Sequence, residues 1–498
     1  MVYEQHHAWY VFPVWGHITS ANALIIKMLE ENPALVVTYV THSLVDTRRF
    51  PEFPKDRFRL LTFGDPDISK NVGKNTIAEG IAQLSKCWIE TLQEACDGAQ
   101  AWPKPTALML DQNGSLHTLP QVRNIVGPDC KAYMYWAGSA ARLYSFLAPS
   151  GKGGFSDWED IVDKYVSDET LRKGRERSEI IDKACIAKNG FDEFNGTVIS
   201  IPGIQDMYDY EREFGEVPLQ AGVSSMLRET VSLAKATDGV VCASSMALEG
   251  ETIAACQTYT TVYPVGVQVA PRGWSKNELV VKDETLRAFL DSHGKGEVVL
   301  ISFGSLVFPT NKANFQALVS ALIEAKYPFV LVLGGMFAGK AIAPSEISRI
   351  NDSDVGYVCD RWVDQQSLLQ HPSIGWLFAH GGFNSTVESL VQGIPLIGWP
   401  LAPGDNAINT AVVSTRKNPV AFEVMQIRTG SAKGKPRRGG SDIVGTPQSV
   451  GEEFREILKK MRGKEGSERR ANAQTLAEEL KIERDTIAKE IVSKLATT

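Results

Sequence analysis

The order of apolar and polar positions along the chain predicts two successive series of strands and helices. In the first half, apolar runs predict buried strands at residues 9–14, 35–40, 107–110, 133–135, 198–201, 239–242 and 260–263. Residues 19–31 carry Ala23, Ile26 and Leu29 at helical spacing. A strand, a tight turn, a helix and a second strand are the opening of a doubly wound parallel sheet.

The second half repeats this pattern. Apolar runs predict strands at residues 298–303, 329–333, 375–379 and 396–399, and helices are predicted at residues 311–325 and 385–392. The chain is therefore expected to be α/β, with two Rossmann-like domains that face each other across a cleft. The ligand-binding loops of each domain are expected at the carboxyl ends of its strands.

The remaining segments suggest domain boundaries. Residues 269–282 contain Pro271 and Gly273 and are typical of a linker. The predicted division is an N-terminal domain at residues 1–265, a linker at 266–290, a C-terminal domain at 291–470 and a C-terminal helix at 471–498 that packs back. Two further segments are expected to be irregular: a polar cover at residues 151–216 and a mobile, basic surface loop at residues 428–445.

Composition narrows the functional class. The 498 residues are 43% hydrophobic and 22% charged, with a net charge of −7, which disfavours a nucleic-acid partner. Seven cysteines without a C-x-x-C pair indicate free thiols in a reducing compartment. Because no signal peptide or membrane-spanning run is recognisable, we expect a cytoplasmic protein without a membrane partner. We also expect a monomer.

The most informative chemistry follows the strand predicted at residues 375–379. His380 and two glycines come next, and then Asn384 and Ser385 open a helix. The N-terminus of a helix presents unpaired N–H groups and partial positive charge, and glycines allow an anion to approach the backbone. This arrangement predicts a diphosphate-binding site. It matches neither G-x-x-x-x-G-K-[ST] nor G-x-G-x-x-G, and the missing lysine disfavours an ATPase.

The surrounding run, residues 361–409, resembles the donor-binding signature of the family 1 UDP-glycosyltransferases. The matched positions are Trp362, Gln365, His380, the triplet Phe383-Asn384-Ser385, Glu388, Gly393-Ile394-Pro395 and Trp399-Pro400. Two departures stand out. Phe383 replaces a tryptophan of the plant enzymes, and the closing acidic-residue–Gln pair is Asp405-Asn406, displaced by one inserted residue.

The resemblance implies a role for each matched residue. Trp362 would stack on uracil, although a core tryptophan is the simpler interpretation of that residue alone. Glu388 would accept hydrogen bonds from both ribose hydroxyls. The diphosphate would be held by His380, Asn384, Ser385 and Ser305, and a core histidine is the alternative for His380. The implied donor site also includes Val363, Gln365, Gly382 and Phe383, and Asp405 and Asn406 would bind the sugar, with glucose the first candidate.

A catalytic pair is predicted in the N-terminal domain. Inverting glycosyl transfer needs a base for the acceptor hydroxyl, and a histidine oriented by a carboxylate suits this at neutral pH. His17 follows the first predicted strand, and Asp111 ends another. Phe12-Pro13-Val14-Trp15-Gly16-His17 resembles the family's Pro-x-x-Gly-His element, and Asp111 stands where the family carries the partner aspartate. Ser20 replaces a family proline.

The acceptor is expected to be small and apolar, such as a phenolic, flavonoid, terpenoid or sterol. Its predicted contacts are Trp15, Trp136 and Tyr144 of the N-terminal domain. No metal or cofactor is implied beyond the UDP-sugar co-substrate. The D-x-D strings at residues 65–67 and 352–354 are interpreted as acidic turns.

Two other functions fit the same architecture. One is a UDP-sugar epimerase, which the Trp362, Gln365 and Glu388 spacing disfavours. The other is a nucleotide-sugar-binding protein without chemistry, which the presence of both His17 and Asp111 disfavours.

Overall fold

The computed structural model describes residues 3–43, 45–63, 86–94, 96, 102–113, 116–181, 196–212, 223–276, 278–304, 307–334, 342–402 and 405–498. Its strands are β1 (Gln5–Tyr10), β2 (Leu35–His42), β3 (Phe58–Phe63), β4 (Ala107–Asp111), β5 (Lys131–Trp136), β6 (Val198–Ile199), β7 (Met207–Tyr208), β8 (Gly239–Cys242), β9 (Val262–Pro264), β10 (Val298–Ser302), β11 (Phe329–Val332), β12 (Gly356–Cys359), β13 (Ile374–Ala379), β14 (Leu396–Gly398) and β15 (Ala421–Glu423).

The α-helices are α1 (Trp15–Glu31), α2 (Leu119–Val126), α3 (Ala140–Leu147), α4 (Trp158–Ser167), α5 (Glu169–Arg172), α6 (Asp209–Arg212), α7 (Val223–Ala236), α8 (Met246–Cys256), α9 (Glu284–Asp291), α10 (Lys312–Glu324), α11 (Pro344–Asn351), α12 (Gln365–Leu369), α13 (Phe383–Val391), α14 (Asn406–Ser414), α15 (Pro447–Arg462), α16 (Lys464–Asp485) and α17 (Ile487–Ala496). Short 3-10 turns lie at Thr47–Arg49, Leu116–Thr118, Ser150–Lys152, Pro271–Trp274 and Gly430–Ala432.

Contacts divide the chain into two compact units that do not follow chain order strictly. Unit 1 consists of Met1–Asp192, Gln220–Ala270 and Glu483–Thr498, and unit 2 consists of Glu193–Leu219 and Pro271–Ile482. The change from unit 1 to unit 2 at Pro271 lies inside the linker predicted at residues 266–290.

Unit 1 is built on a parallel sheet. Within the described residues its strand order is β3-β2-β1-β4-β5-β8-β9. The strands are nearly continuous runs of apolar residues, as expected for a sheet covered on both faces, and residues such as Trp9, Val37 and Met109 form its core. The chain direction across the sheet reverses between β1 and β4. Ligand sites of doubly wound sheets form at such a reversal, at the carboxyl ends of the strands.

Unit 2 repeats the architecture with the order β12-β11-β10-β13-β14-β15, again parallel throughout the described strands. Ile301, Leu331 and Trp376 belong to its separate core. The reversal here falls between β10 and β13, where Ser302 is in register with Ala379. The loop after β10 and the loop after β13 therefore lie side by side at the expected ligand-binding edge.

Several predicted elements differ from those in the structure. The first strand spans Gln5–Tyr10 instead of residues 9–14. The first helix begins at Trp15 instead of residue 19, so His17 lies in its first turn. The strand predicted at residues 198–201 is shorter and pairs antiparallel with β7 in unit 2, outside the unit 1 sheet. The C-terminal helix predicted at residues 471–498 is part of two helices, Lys464–Asp485 and Ile487–Ala496, divided at Thr486. The amphipathic pattern continues through this break, which is why it did not indicate one.

The C-terminal segment is fixed to unit 1 through polar contacts. The buried carboxylate of Glu483 accepts the backbone N–H groups of Met246 and Ala247 at 2.7 and 2.8 Å, which caps the N-terminus of α8. The side-chain amide of Asn32 donates to the carbonyl of Ala496 at 2.7 Å. Helix α17 thus packs back on unit 1. None of the helices within the described residues combines the length and the apolar character needed to cross a bilayer.

The segment predicted as a mobile surface loop at residues 428–445 is mostly exposed, but two of its arginines are buried. Arg428 is fully buried, and the side chain of Arg438 is only 6% exposed. Both guanidinium groups donate to Glu423 at 2.6 Å, and Glu211 lies 3.6 Å from the Nε of Arg438. Arg428 and Arg438 therefore belong to a buried ionic cluster that anchors this segment. Composition alone suggested solvation because it does not show that Glu423 is buried beside these arginines, and because Glu211 is distant in sequence.

Candidate active site

The candidate site of unit 1 is a histidine–aspartate pair at the reversal of its sheet. His17 follows β1 and Asp111 ends β4, and these two strands are neighbours with Tyr10 in register with Leu110. The Nδ1 of His17 lies 2.8 Å from the Oδ2 of Asp111. The side chain of Asp111 is completely buried, whereas that of His17 is 18% exposed. The pair has the geometry in which a carboxylate fixes the orientation of an imidazole.

Two backbone groups hold the carboxylate in place. The N–H of Phe12 donates to Oδ2 of Asp111 at 3.2 Å, and the N–H of Asn113 donates to Oδ1 at 3.1 Å. A buried carboxylate needs such partners because its desolvation is otherwise costly. The sequence motifs gave no indication of these two backbone donors, which depend on the path of the chain after each strand.

The three aromatic residues predicted to contact the acceptor lie in different environments. Trp136 is 1% exposed and donates its indole N–H to the carbonyl of Ser139 at 2.8 Å. Tyr144 is 5% exposed, and burial raises its pKa to about 12. Trp15 is half-buried, with the guanidinium of Arg49 5.7 Å from its ring. Trp136 and Tyr144 are therefore core residues of unit 1, and Trp15 is the best placed of the three for a ligand.

In unit 2, a separate candidate site lies at the N-terminus of α13. Its N-cap residue is Gly382, which has no side chain to cap the helix, so a ligand can take that place. Asn384 and Ser385 lie in the first turn and are half-buried. Phe383 is 7% exposed and packs inward. Ser305, predicted to join this site from the loop after β10, lies outside the described residues.

Glycines allow the two loops to lie close together around His380. A Cβ atom at Gly304 would lie 2.7 Å from the Cε1 of His380, and one at Gly382 would lie 2.3 Å from its Nε2. Gly381 has φ +84°, and a Cβ there would lie 2.5 Å from the carbonyl oxygen of Asn406. No other residue type fits these positions without displacing a neighbour, which explains the Gly-Gly pair after β13.

His380 itself is available for a ligand. Its Nδ1 is buried and has no hydrogen-bond partner among the described residues. Burial lowers its pKa to about 4, so the ring is neutral near neutral pH and has one donor and one acceptor nitrogen. An orphaned nitrogen alone does not decide between a core role and a ligand-binding role, because both ring nitrogens of the fully buried His7 in β1 also have no partner among the described residues. The position of His380 directly before the start of α13 supports the ligand-binding role.

Trp362 is much more exposed than two other tryptophans of unit 2. Trp362 is 47% exposed, whereas Trp376 and Trp399 are fully buried. Its backbone also lies against Gly334, where a Cβ atom would approach the Cα of Trp362 to 2.5 Å. Val363 follows it and is half-buried. An exposed indole on a constrained backbone is suited to stack on a planar ligand.

Glu388 is paired with two glutamines. The Gln365 amide donates to its Oε2 at 2.7 Å and lies 3.3 Å from the Oγ of Ser385. The Gln366 amide donates to its Oε1 at 3.2 Å. Gln366 was not predicted from the sequence. Burial raises the pKa of Glu388 to about 7 in spite of these bonds.

Asp405 and Asn406 differ in what they offer a sugar. Asn406 is 3% exposed, and its side chain accepts from the N–H of Ala402 at 2.9 Å and donates to Asp405 at 2.8 Å. Asn409 was also missed; its amide donates to the carbonyl of Gly381 at 2.9 Å. Asn406 and Asn409 thus hold the loops in place, and the half-buried Asp405 is the better candidate for contact with a ligand.

Comparison with known proteins points to one class. A family model described as UDP-glucoronosyl and UDP-glucosyl transferase matches residues 278–432, which include the donor segment up to Asn409. A UDP-glycosyltransferase of Hericium erinaceus is 28% identical over 53% of this chain, and the alignment covers 54% of that relative. The myricetin 3-O-rhamnoside 1,2-glucosyltransferase of Crocosmia x crocosmiiflora is 25% identical over 82% of both chains.

The fold has solved counterparts over its whole length. The structure of Phytolacca americana UGT2, complexed with UDP-2fluoro-glucose and pterostilbene, superposes with a TM-score of 0.70. It is 19% identical and covers 99% of each chain. Two Rossmann-like halves with a nucleotide-sugar signature in the second define a glycosyltransferase of the GT-B fold. The matched segment, these relatives and the fold support a family 1 UDP-glycosyltransferase.

Proposed function

We propose that this protein transfers a sugar, with glucose as the first candidate, from a UDP-sugar to a hydroxyl of a small apolar acceptor with inversion at the anomeric carbon. The observation that carries the proposal is the contact of 2.8 Å between the Nδ1 of His17 and the Oδ2 of Asp111. An epimerase or a binding protein of the same fold has no need of this pair.

In the proposed reaction His17 is the general base. Asp111 accepts the Nδ1–H of His17 and so leaves Nε2 as the basic nitrogen. Nε2 removes the proton of the acceptor hydroxyl while its oxygen attacks the anomeric carbon and the bond to the diphosphate oxygen breaks. The buried Asp111 carboxylate stabilises the imidazolium that forms. UDP leaves with the electron pair of the broken bond.

Unit 2 would hold the donor. Trp362 offers a face for uracil, and Glu388 offers carboxylate oxygens for the ribose hydroxyls. The amides at the start of α13 point at the diphosphate, where they stabilise the negative charge that develops as UDP leaves. Neutral His380 adds a hydrogen bond at the same place.

The choice of glucose and of an apolar acceptor has separate support. The Crocosmia relative is named as a glucosyltransferase, and the Phytolacca structure contains UDP-2fluoro-glucose with pterostilbene. In unit 1 the half-buried Trp15 lies two residues before His17, where an aromatic surface suits a phenolic, flavonoid, terpenoid or sterol.

The test is acceptor-dependent release of UDP from UDP-glucose, measured with a panel of these acceptors, together with the anomeric configuration of the product by NMR. We expect UDP only in the presence of an acceptor, and a β-glucoside. His17→Ala should lower kcat roughly 10²–10⁴-fold with donor affinity unchanged. His293→Ala, at a surface histidine of unit 2 whose Nδ1 lies 2.8 Å from the carbonyl of Phe289, is the control and should keep full activity.

Other results would identify another function. Conversion of the UDP-sugar to an isomer without an acceptor would indicate an epimerase. Tight binding of UDP-glucose with no turnover of any acceptor would indicate a binding protein. Unchanged turnover in His17→Ala would contradict the proposed mechanism.

A further inference from the structure

The carboxylate of Glu388 is held from two sides by one short helix. Glu388 lies in the second turn of α13, and α12 begins with Gln365 and Gln366. The Gln365 amide donates to one carboxylate oxygen at 2.7 Å and the Gln366 amide to the other at 3.2 Å. Asp364 caps α12 by accepting the N–H of Gln366, which fixes the helix start.

We propose that Gln366 is a positioning residue for the donor: its amide holds Oε1 of Glu388 so that the carboxylate faces the two ribose hydroxyls. This inference rests on the proposed function, in which Glu388 binds the ribose of a UDP-sugar. A carboxylate has about four acceptor positions, so one bond from each glutamine leaves a position on each oxygen for a hydroxyl. Losing either glutamine frees the carboxylate to rotate away from the ribose.

The two amides also decide the charge of Glu388. Burial raises the pKa of this carboxyl to about 7, and hydrogen bonds from Gln366 and Gln365 to its ionised form act in the opposite direction. Four titratable groups lie on the segments packed against α13: Asp364 before α12, His380 after β13, Arg272 in the 3-10 turn and Asp405 before α14. Of these four groups, Asp364 is the one that affects the pKa of Glu388, and its negative charge raises that pKa.

The charge of Glu388 decides the direction in which donor affinity changes with pH. An ionised carboxylate accepts from both ribose hydroxyls, whereas a protonated one does not. Donor affinity in the unaltered protein should therefore rise as the pH increases through about 7. Without the Gln366 bond the ionised form of Glu388 is less stable, its pKa rises further, and the gain in affinity moves to higher pH.

The experiment measures UDP-glucose binding by calorimetry without an acceptor, from about pH 5.5 to about pH 9. UDP-glucose is the probe because its diphosphate has no ionisation in this range, unlike the terminal phosphate of free UDP. Gln366→Leu should weaken binding about tenfold or more near pH 7 and move the midpoint of the profile upward. Gln366→Lys places a cation beside Glu388 and should move the midpoint downward.

The matched control is Gln448→Leu on α15. Gln448 makes the same kind of bond, from its amide to the carboxylate of Glu452 at 2.9 Å, at an exposed position. This variant should leave the affinity and its pH profile unchanged. Thermal melts of all variants check that they are folded. With 2′-deoxy-UDP-glucose the effect of Gln366→Leu should shrink, because one of the hydroxyls that Glu388 binds is missing.

The possible failures can be told apart. If the unaltered protein binds UDP-glucose with a midpoint near pH 7 and neither Gln366 variant moves it, the inference is wrong and the proposed function stands. The inference would also be wrong if Gln366→Leu weakened the binding of 2′-deoxy-UDP-glucose as much as that of UDP-glucose. Gln366 would then act at a part of the donor other than the ribose. If the unaltered protein does not bind UDP-glucose at all, both the inference and the proposed function fail.

Discussion

Asp111 accepts hydrogen bonds from the imidazole of His17 and from the backbone N–H of Phe12. His17 and Asp111 are 94 positions apart in the chain. The contact exists because β1 and β4 are neighbours at the reversal of the unit 1 sheet, so that the loops after them meet. The backbone bond fixes the carboxylate, and the carboxylate fixes the histidine. Asp111 is therefore expected to matter for catalysis more than for donor binding.

Asp111→Asn should lower kcat roughly 10²–10⁴-fold, because an amide can donate to Nδ1 and hold the histidine in the wrong tautomer. The KM for the UDP-sugar should change little. The double variant with His17→Ala should be no slower than His17→Ala alone, since the two residues act as one unit. Steady-state kinetics of the three variants measure this.

Asp238→Asn is the control for that experiment. Asp238 also lies in unit 1 and accepts a backbone N–H, that of Ala132, at 2.9 Å. It should retain kcat. Additive losses in the Asp111 and His17 double variant would show that the two residues act independently and that the pair is not the catalytic unit.

Trp362 is predicted to contribute to donor binding and not to stability. Trp362→Ala should weaken UDP-glucose binding by roughly tenfold or more, because stacking of an aromatic ring on a base is worth about 1–3 kcal/mol. Trp362→Phe should recover part of the loss. Since the side chain is 47% exposed, the melting temperature should stay the same.

Tyr259→Ala is the control, because Tyr259 is 36% exposed and belongs to unit 1, whereas Trp362 belongs to unit 2. Its loss should leave UDP-glucose affinity intact. A drop in melting temperature for Trp362→Ala, with affinity retained, would instead indicate a packing role for the tryptophan.

The buried ionic cluster of unit 2 is predicted to control stability. Arg438→Met leaves Glu211 and half of the Glu423 carboxylate without their cation and should lower the free energy of unfolding by about 3–5 kcal/mol. Burial opposes ionisation of Glu423, but Arg438 and Arg428 outweigh it and lower its pKa to about 2. The stability from this group is thus complete above the ordinary glutamate pKa of about 4.3 and is lost as the pH falls toward 2.

Urea denaturation followed by tryptophan fluorescence, at neutral pH and at a series of acidic pH values, measures both effects. Arg455→Met is the control, because the Arg455–Glu324 pair is more than half exposed and should contribute less than about 1 kcal/mol. If Arg438→Met were as stable as Arg455→Met, the cluster would not hold the segment at residues 428–445.

Much of the donor site could be predicted from the sequence because it is local. Trp362, His380 and Glu388 lie on the consecutive segment from the end of β12 to α13, so their spacing along the chain is a local property. Gln366 was not predicted, because a glutamine at a helix start gives no sign of which carboxylate it contacts. Asn406 was predicted as a sugar ligand, and only the structure shows that its amide is engaged by Ala402 and Asp405.

The buried arginines of unit 2, in contrast, could not be predicted from local sequence. Arg428 and Arg438 occur in a Gly- and Lys-rich stretch that by composition favours a solvated loop. Their partner Glu211 comes from a segment more than 200 positions earlier, which the contacts assign to unit 2 although the chain on both sides of it belongs to unit 1. Such pairing depends on chain topology, which periodicity does not contain.

The sequence by itself determined the α/β class and the two successive series of strands and helices, because apolar periodicity is a local property. Short motifs are local as well, and they indicated the candidate donor segment and His17 and Asp111 as the candidate catalytic residues. Only the tertiary structure decided that Asp111 meets His17, that Trp362 is exposed while Trp376 is core, and which side chains orient Glu388. These relationships depend on the order of strands in each sheet, since it brings loops together that are far apart in the chain.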